Sequence, residues 1–117
     1  MATVSSHTLN GTDGSHAGDI AVRLVNRNTN EILFETAMDS GGRLSQDIDP
    51  ASVDTTASYE LVFHTGSYWA SQPHPGPSVR AIEEVVVRFS MPDPDARYHM
   101  PVILSPNSYS VWWSQPE

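Results

Sequence analysis

Apolar and polar residues alternate with a period of two along most of the chain, which is typical of β-strands with one buried face. Segments rich in Gly, Asn, Asp, Ser and Pro separate these runs and favour turns. The clearest alternating runs span residues 18–27, 32–37, 59–64, 83–90 and 97–104. Seven or eight short strands spaced in this way predict an all-β sandwich formed by residues 1–117 as a single domain.

One segment departs from the alternation. The stretch TGSYWASQ directly follows the run 59–64 and is halted by QPHPGP, whose prolines prevent a helix from continuing. It predicts a short helical turn that caps one edge of a sheet. Within it we expect Tyr68 and Trp69 to pack the helix against the sheet rather than bind a substrate.

The composition narrows the possible partners and chemistry. The chain has 117 residues and a net charge of −8, and it contains neither cysteine nor lysine. Disulfides, thiolate metal sites, a cysteine nucleophile and a Schiff-base lysine are therefore excluded. Scattered arginines in an acidic chain argue against nucleic acid and anionic membranes, which are bound by clustered basic residues. We expect a small-molecule ligand or another copy of the chain as partner, and no cofactor.

The sequence also carries no sign of membrane insertion or export. No run approaches the roughly 20 apolar residues that a membrane-spanning helix needs. The opening stretch MATVSSHTLNGTDG lacks the basic and apolar regions of a secretory signal. A cytoplasmic location is therefore expected.

The alternation assigns a direction to His99. It places Tyr98 and Met100 towards the core, and His99 and Ile103 on the opposite, outward face. An isoleucine beside a histidine on an outward face indicates a surface that another subunit covers.

The last run carries two adjacent tryptophans. Alternation places Trp113 in the core or at its margin, and Trp112 on the outward face with Ser110 and Ser114. Burying the outward indole would remove about 150–250 Å² from water, which favours binding of a ligand or a partner.

Other candidate residues cannot be oriented in this way. The direction of His7 stays open, because Val4 and Leu9 fall on opposite faces of its strand. Arg43 ends the turn DSGGR, whose flexible backbone lets a guanidinium reach a site. Nothing in the spacing alone brings His7, Arg43 and His99 together.

The remaining histidines and serines give weaker signals. We expect His64 to support a loop, and His16 and His74 to be solvated in turns. A zinc site built from three histidines is not favoured, because no HxH or HExxH spacing occurs. Ser105, Ser108 and Ser110 supply hydroxyls, but no Ser/His/Asp order can be read, so a covalent serine mechanism is a minor alternative.

Four segments, in chain order, resemble the 5-hydroxyisourate hydrolase family of transthyretin-related proteins. They are SSHTLNGTDGSHAGDIAVRLVNR, DSGGRLSQ, YELVFHTGSYW and VRFSMPDPDARYHMPVILSPNSYS. They are similar to the family's H-V-L-[DN] opening, its D-G-R turn, its Y-x-L-x-F strand and its Y-H-[VI]-P…S-P…S-Y-S ending. The ordered set is specific, although no single piece is diagnostic.

This resemblance implies a transthyretin-like sandwich of two four-stranded sheets with one short helix. It also implies a homotetramer, a dimer of dimers, whose sites lie in the channel where the dimers meet. Carried over by position, the family's catalytic histidines fall on His7 and His99, and its catalytic arginine on Arg43.

The chain departs from the family at its end. The family's Y-R-G-S motif, which lines the pocket, is replaced by Trp112, Trp113, Ser114 and Gln115. Losing an arginine and gaining indoles predicts a substrate of specialised metabolism that is larger and more apolar than 5-hydroxyisourate and is bound by Ser110, Trp112, Trp113 and Ser114. Two alternatives stay open: an ordinary 5-hydroxyisourate hydrolase of urate catabolism, and a non-catalytic small-molecule carrier like transthyretin.

Overall fold

The computed structural model describes residues 1–73 and 76–113, and these form two β-sheets and one short α-helix. The strands are β1 (Ala2–Asn10), β2 (Ala21–Asn26), β3 (Ile32–Ala37), β4 (Arg43–Ile48), β5 (Tyr59–Phe63), β6 (Val85–Phe89), β7 (Arg97–His99), β8 (Val102–Ser105) and β9 (Ser108–Val111). Helix α1 (Thr65–Ala70) lies between β5 and β6, and a single 3-10 turn (Pro50–Ser52) follows β4.

The first sheet has the strand order β4-β1-β8-β9, with β7 also paired to β1. Strand β1 is long enough to pair in parallel with β7 near its start and with β8 near its end. Pro101, between these two short strands, has no N–H to donate to a ladder, although the Met100 N–H still reaches Ser5 O at 2.9 Å. The predicted sandwich is therefore confirmed, with one predicted strand divided into β7 and β8.

The second sheet is antiparallel, in the order β3-β2-β5-β6. Its alternation follows the prediction, because Val22, Leu24, Leu61 and Phe63 are all buried between the sheets. The first sheet contributes Tyr98, Met100, Val102 and Leu104 to the same core, as the alternation predicted. Burial of one face of each sheet accounts for the stability of this architecture.

Helix α1 occupies the predicted segment. Trp69 is buried in the core, and Tyr68 is partly buried and packed against it. The Gly66 N–H donates to Glu83 O at 2.9 Å, which ties the first turn of the helix to the segment before β6. Over the described residues, no helix has the length and apolar character needed to cross a membrane.

The inward face of β1 is polar towards its C-terminal end, which explains why its direction could not be predicted. Ser6 Oγ donates to Met100 O at 2.7 Å, and Thr8 Oγ1 donates to Ala17 O at 2.6 Å. Each buried hydroxyl is thus satisfied by a backbone carbonyl of a neighbouring segment. The opposite face of β1 carries the partly exposed side chains Thr3, Ser5, His7 and Leu9.

Candidate active site

Strand pairing brings the three predicted catalytic residues together on the outward face of the first sheet. In the antiparallel β1–β4 pair, His7 lies directly opposite Arg43. In the parallel β1–β7 pair, Ser5 lies opposite His99. Because His7 and Ser5 are two residues apart on one strand, their side chains and those of their partners share one face.

A hydrogen-bonded turn fixes the start of β4, where Arg43 lies. Asp39 Oδ1 accepts the backbone N–H groups of Gly41 and Arg43, both at 2.9 Å. Gly42 adopts a φ of +73°, a conformation that favours glycine, and its carbonyl accepts the Thr8 N–H at 2.8 Å. The backbone before Arg43 is therefore constrained, whereas the exposed guanidinium projects from the outward face.

His99 is half-buried, and one of its ring nitrogens has a partner. Its Nδ1 lies 2.8 Å from Ser5 Oγ, so the ring orientation is set by a neighbouring strand. Partial burial, followed by the positive charges of Arg97 and Arg43, lowers the pKa of His99 below its usual 6.5. His99 is consequently neutral near pH 7, which is the form that accepts a proton.

His7 is paired with a second imidazole that the sequence did not single out. His7 Nε2 lies 2.7 Å from His16 Nδ1, with the ring centroids 4.8 Å apart and the ring planes inclined by 28°. Partial burial, Arg43 and His16 lower the pKa of His7, while a hydrogen bond to Gly41 opposes this shift. His16 is exposed, as expected for a turn residue, but its contact with His7 was not predicted.

A cavity of about 330 Å³ lies on this face beside His99 and Arg43. Its lining is mostly polar and consists of Ser5, Ser6, Asp39, Arg43, Leu44, Ser45, Arg97 and His99. His7 is not part of the lining and flanks the cavity next to Arg43. Arg97 and Ser5 were missed because nothing in the single sequence distinguishes them from the other arginines and serines.

The C-terminal candidates lie at different places. Ser110 pairs with Ile103, which pairs in turn with Leu9 of β1. These three residues therefore share the outward face, and Ser110 lies two strands away from β1. Trp113 stacks on buried Tyr98 with centroids 6.5 Å apart, at the margin of the core, and is still 50% exposed. It borders a separate apolar cavity with Phe89, Ser90, Pro92, Tyr98 and Met100.

Trp112 is 44% exposed, so it offers the free indole that the alternation predicted. Within this protomer, neither tryptophan lines the cavity of His99 and Arg43. Ser114 and His74 lie outside the described residues.

His64 lies at the start of α1, away from the outward face of β1. Its Nε2 is 2.7 Å from Arg23 Nη1, and its Nδ1 is 3.3 Å from Glu84 Oε2. Because an arginine can only donate, Nε2 accepts and Nδ1 carries the proton when the ring is neutral. This arrangement ties β2 to the segment before β6.

The fold and site together define a class of protein: a transthyretin-like sandwich with histidines and arginines around a polar cavity on the outer face of one sheet. The family model described as HIUase/Transthyretin family matches residues 4–113. The chain therefore belongs to this family, which confirms the resemblance found in the sequence.

Similar proteins agree with this assignment. The chain is 30% identical over 111 residues to 5-hydroxyisourate hydrolase 2 of Rhizobium meliloti, covering 93% of this chain and 92% of that protein. The structure of Klebsiella pneumoniae 5-hydroxyisourate hydrolase matches with a TM-score of 0.77 at 22% identity, covering 98% of this chain and 100% of the other. Transthyretin from Sparus aurata matches with a TM-score of 0.80 at 21% identity, covering 97% of each chain. These two structures confirm the transthyretin-like fold.

Proposed function

We propose that this protein is a hydrolase that opens a small cyclic ureide or related cyclic carbonyl compound by acid–base catalysis. The observation that carries the proposal is the oriented imidazole of His99 beside the guanidinium of Arg43 in one polar cavity. Carbonyl hydrolysis requires a positioned base and a permanently charged cation that both reach the same cavity.

The proposed reaction adds one water across a ring C–N bond. His99 Nε2 removes a proton from water, whose oxygen forms a bond to the ring carbonyl carbon. Arg43 stabilises the resulting oxyanion, and collapse of this intermediate breaks the C–N bond. The ring nitrogen takes up the proton from the His99 imidazolium, which restores the neutral base.

Arg97 and His7 have supporting roles in this proposal. Arg97 lines the cavity with Arg43, so the two guanidinium groups offer paired donors to a substrate rich in carbonyl oxygens. His7 lies outside the lining and is assigned to proton transfer next to Arg43 rather than to contact with the reacting carbon.

We further propose that the substrate is larger and more apolar than 5-hydroxyisourate. The exposed Trp112 supports this, because an indole presents a flat apolar face where a small polar substrate gains little. We propose that Ser110, Trp112 and Trp113 contact the substrate from a neighbouring subunit of a homotetramer; Ser114, which lies outside the described residues, completes the proposed set. Exposed Ile103 and Trp112 near the outward face support such an assembly.

Ordinary 5-hydroxyisourate hydrolysis is the second candidate. It is favoured by the name of the relative from Rhizobium meliloti, and by the two arginines of the cavity, which suit an oxygen-rich anion. The two candidates share the proposed chemistry and differ only in the group that the substrate carries.

The chemistry is tested by ring opening of 5-hydroxyisourate and its N-alkyl and N-benzyl analogues, followed by absorbance. His99→Ala and Arg43→Ala should each lower kcat/KM about 10²–10⁴-fold, and His64→Ala, away from the cavity, should leave it nearly unchanged. Both variants must retain the wild-type assembly by light scattering. Near-normal turnover in both would remove the catalytic assignment.

The rates of the wild-type protein with these compounds then distinguish between the two candidate substrates. A preference of about tenfold or more for the N-benzyl analogue, from the apolar surface it buries, supports the redirected specificity. A preference for unsubstituted 5-hydroxyisourate supports the ordinary enzyme. Tight binding of every compound without turnover would identify a carrier and overturn both.

A further inference from the structure

The contact between His7 and His16 is unused by the proposed reaction, although it is a direct hydrogen bond between two titratable rings. The distance of 2.7 Å between His7 Nε2 and His16 Nδ1 is short for a nitrogen–nitrogen hydrogen bond. One nitrogen must donate and the other accept, so the pair holds a proton between them in every state in which the bond exists.

The backbone holds His16 in this position. The segment carrying it pairs with β1 on both sides of the contact: Asn10 N–H donates to Ser15 O at 2.8 Å, and Ala17 N–H donates to Thr8 O at 2.9 Å. An isolated bridge joins Leu9 to His16 itself. The imidazole is therefore presented to His7 by an ordered loop, not by a freely moving turn.

The surroundings of the pair limit how many protons it holds. Arg43 on β4 places a permanent positive charge near His7, and His99 on β7 adds another only when it is protonated, whereas a hydrogen bond to Gly41 opposes the resulting fall in the pKa of His7. On the other side, Asp19 and His64 share a cavity with His16, and neither forms a direct hydrogen bond with His16. If both rings were protonated, no nitrogen would be left to accept their shared hydrogen bond, and both charges would lie beside a guanidinium.

His16 also connects the catalytic face to a second space. It lines a polar cavity of about 440 Å³ between the β1–β2 segment, the turn at Ser40 and helix α1. His7 and His16 thus lie in a row between the His99–Arg43 face and this cavity. The row has the composition of a proton pathway, since each imidazole accepts a proton on one nitrogen and releases one from the other.

We propose that His16 is a positioning residue that forms a two-histidine proton relay with His7, linking the catalytic face to the polar cavity beside α1. The proposal rests on the proposed function for its catalytic meaning, since the relay supplies or removes the proton that His7, in that function, transfers next to Arg43. The hydrogen-bonded pair itself is independent of the identity of the substrate.

The pairing is tested by NMR on the full chain with ¹⁵N-labelled histidine. The wild-type protein should show scalar coupling between His7 Nε2 and His16 Nδ1 through the hydrogen bond, and His7 should titrate in two steps. In His16→Gln, which keeps an amide donor but does not titrate, His7 should titrate in one step. The control His64→Gln, which lines the same cavity without contacting His7, should retain both wild-type signatures.

The relay is tested by the kinetics of the same variants with 5-hydroxyisourate. His16→Gln should lower kcat at least about tenfold, with KM changed less than about twofold, because the lost function is proton transfer and not binding. The pH profile of kcat should also lose one inflection, and His64→Gln should behave as wild type.

Two results overturn the relay. An uncoupled, single-step titration of His7 in the wild-type protein removes the pair, and an unchanged kcat and pH profile in His16→Gln removes its role in proton transfer. Failure of the wild-type protein to open any cyclic ureide refutes the proposed function separately. In that case the NMR titration alone decides whether the pair exists.

Discussion

Ser5 Oγ lies 2.8 Å from His99 Nδ1, across the parallel pairing of β1 with β7. When His99 is neutral and Nδ1 carries its proton, the serine accepts it and Nε2 is left with a lone pair for a water molecule. The hydrogen bond orients the ring, and in this tautomer it leaves Nε2 free to act as the proposed base.

We therefore expect Ser5→Ala to lower kcat by about tenfold or more, towards the lower end of the range for acid–base groups. The ¹⁵N shifts of His99 should change from one dominant tautomer to a mixture. Ser45→Ala is the matched control, because Ser45 lies opposite Ser5 on β4 and lines the same cavity. Equal losses of activity in the two variants would contradict the orienting role of Ser5.

A second prediction concerns the pH dependence of activity. Partial burial, Arg97 and Arg43 lower the pKa of His99 below the usual value of 6.5. The imidazole therefore stays neutral to a lower pH than an unperturbed histidine. Activity should therefore be lost only as the pH falls through this lowered value. Replacing Arg97 by Gln removes a positive charge, which should raise the pKa of His99 and move the acid limb of kcat/KM to higher pH.

The control for this shift is Arg88→Gln, which removes an arginine from β6 on the other sheet. Its net charge therefore equals that of Arg97→Gln. Its acid limb should coincide with that of the wild-type protein. Coincident limbs in all three proteins would show that Arg97 does not set the protonation of His99.

The fold could be predicted from the sequence because most strands alternate cleanly. In β2 and β5, apolar side chains at every second position are buried, and the outward facing of His99 followed from the same rule. Strand β1 resisted prediction because its inward Ser6 and Thr8 are polar and are satisfied by carbonyls of distant segments. Alternation of hydrophobicity cannot predict which face of a strand is buried when the buried side chains are polar and hydrogen-bonded.

The site was harder to predict, since it depends on strand register. The family resemblance pointed to His7, Arg43 and His99, but only the pairing of β1 with β4 and β7 places them on one face. His16 had no signal in the sequence beyond being a histidine in a turn. Its contact with His7 comes from the way the β1–β2 segment folds back onto β1.

The two terminal tryptophans should differ when each is replaced by Ala. They are similarly exposed, at 44% for Trp112 and 50% for Trp113, but only Trp113 stacks on Tyr98. Loss of that contact should lower the free energy of unfolding by about 1–2 kcal/mol, from the aromatic pair and the apolar area it covers. Where assembly is unchanged, Trp112→Ala should leave the unfolding free energy within about 0.5 kcal/mol of wild type.

Urea denaturation measures this difference, and light scattering on the same samples reports assembly. Trp112→Ala is expected to act on assembly or on the preference for the N-benzyl analogue, because its indole is free in the protomer. A larger stability loss in Trp112→Ala than in Trp113→Ala, in samples whose assembly is the same, would contradict the assigned contacts.

The last prediction concerns the turn that positions Arg43. Gly14 and Gly42 have similar positive φ values, of +78° and +73°, so an alanine at either position is strained to a similar degree. Their surroundings differ, because a Cβ at Gly14 meets nothing within 4 Å, whereas one at Gly42 lies 2.5 Å from Thr8 O and 2.9 Å from Ala17 O. Gly14→Ala therefore reports the conformational strain alone, about 1–2 kcal/mol.

Gly42→Ala should lose a further ~1–3 kcal/mol of unfolding free energy, because the added carbon forces β1 and the turn apart. The same displacement moves the backbone of Arg43, so Gly42→Ala should also lower kcat/KM in conditions where it is still folded, and Gly14→Ala should not. The backbone N–H of Arg43 is held by a hydrogen bond to Asp39, and the Arg43 side chain is exposed. A shift of this turn should therefore lower activity even in a variant that is still folded. Equal stability losses in the two variants would show that the turn accommodates the added carbon without further strain. That result would contradict the claim that this turn holds Arg43 in place.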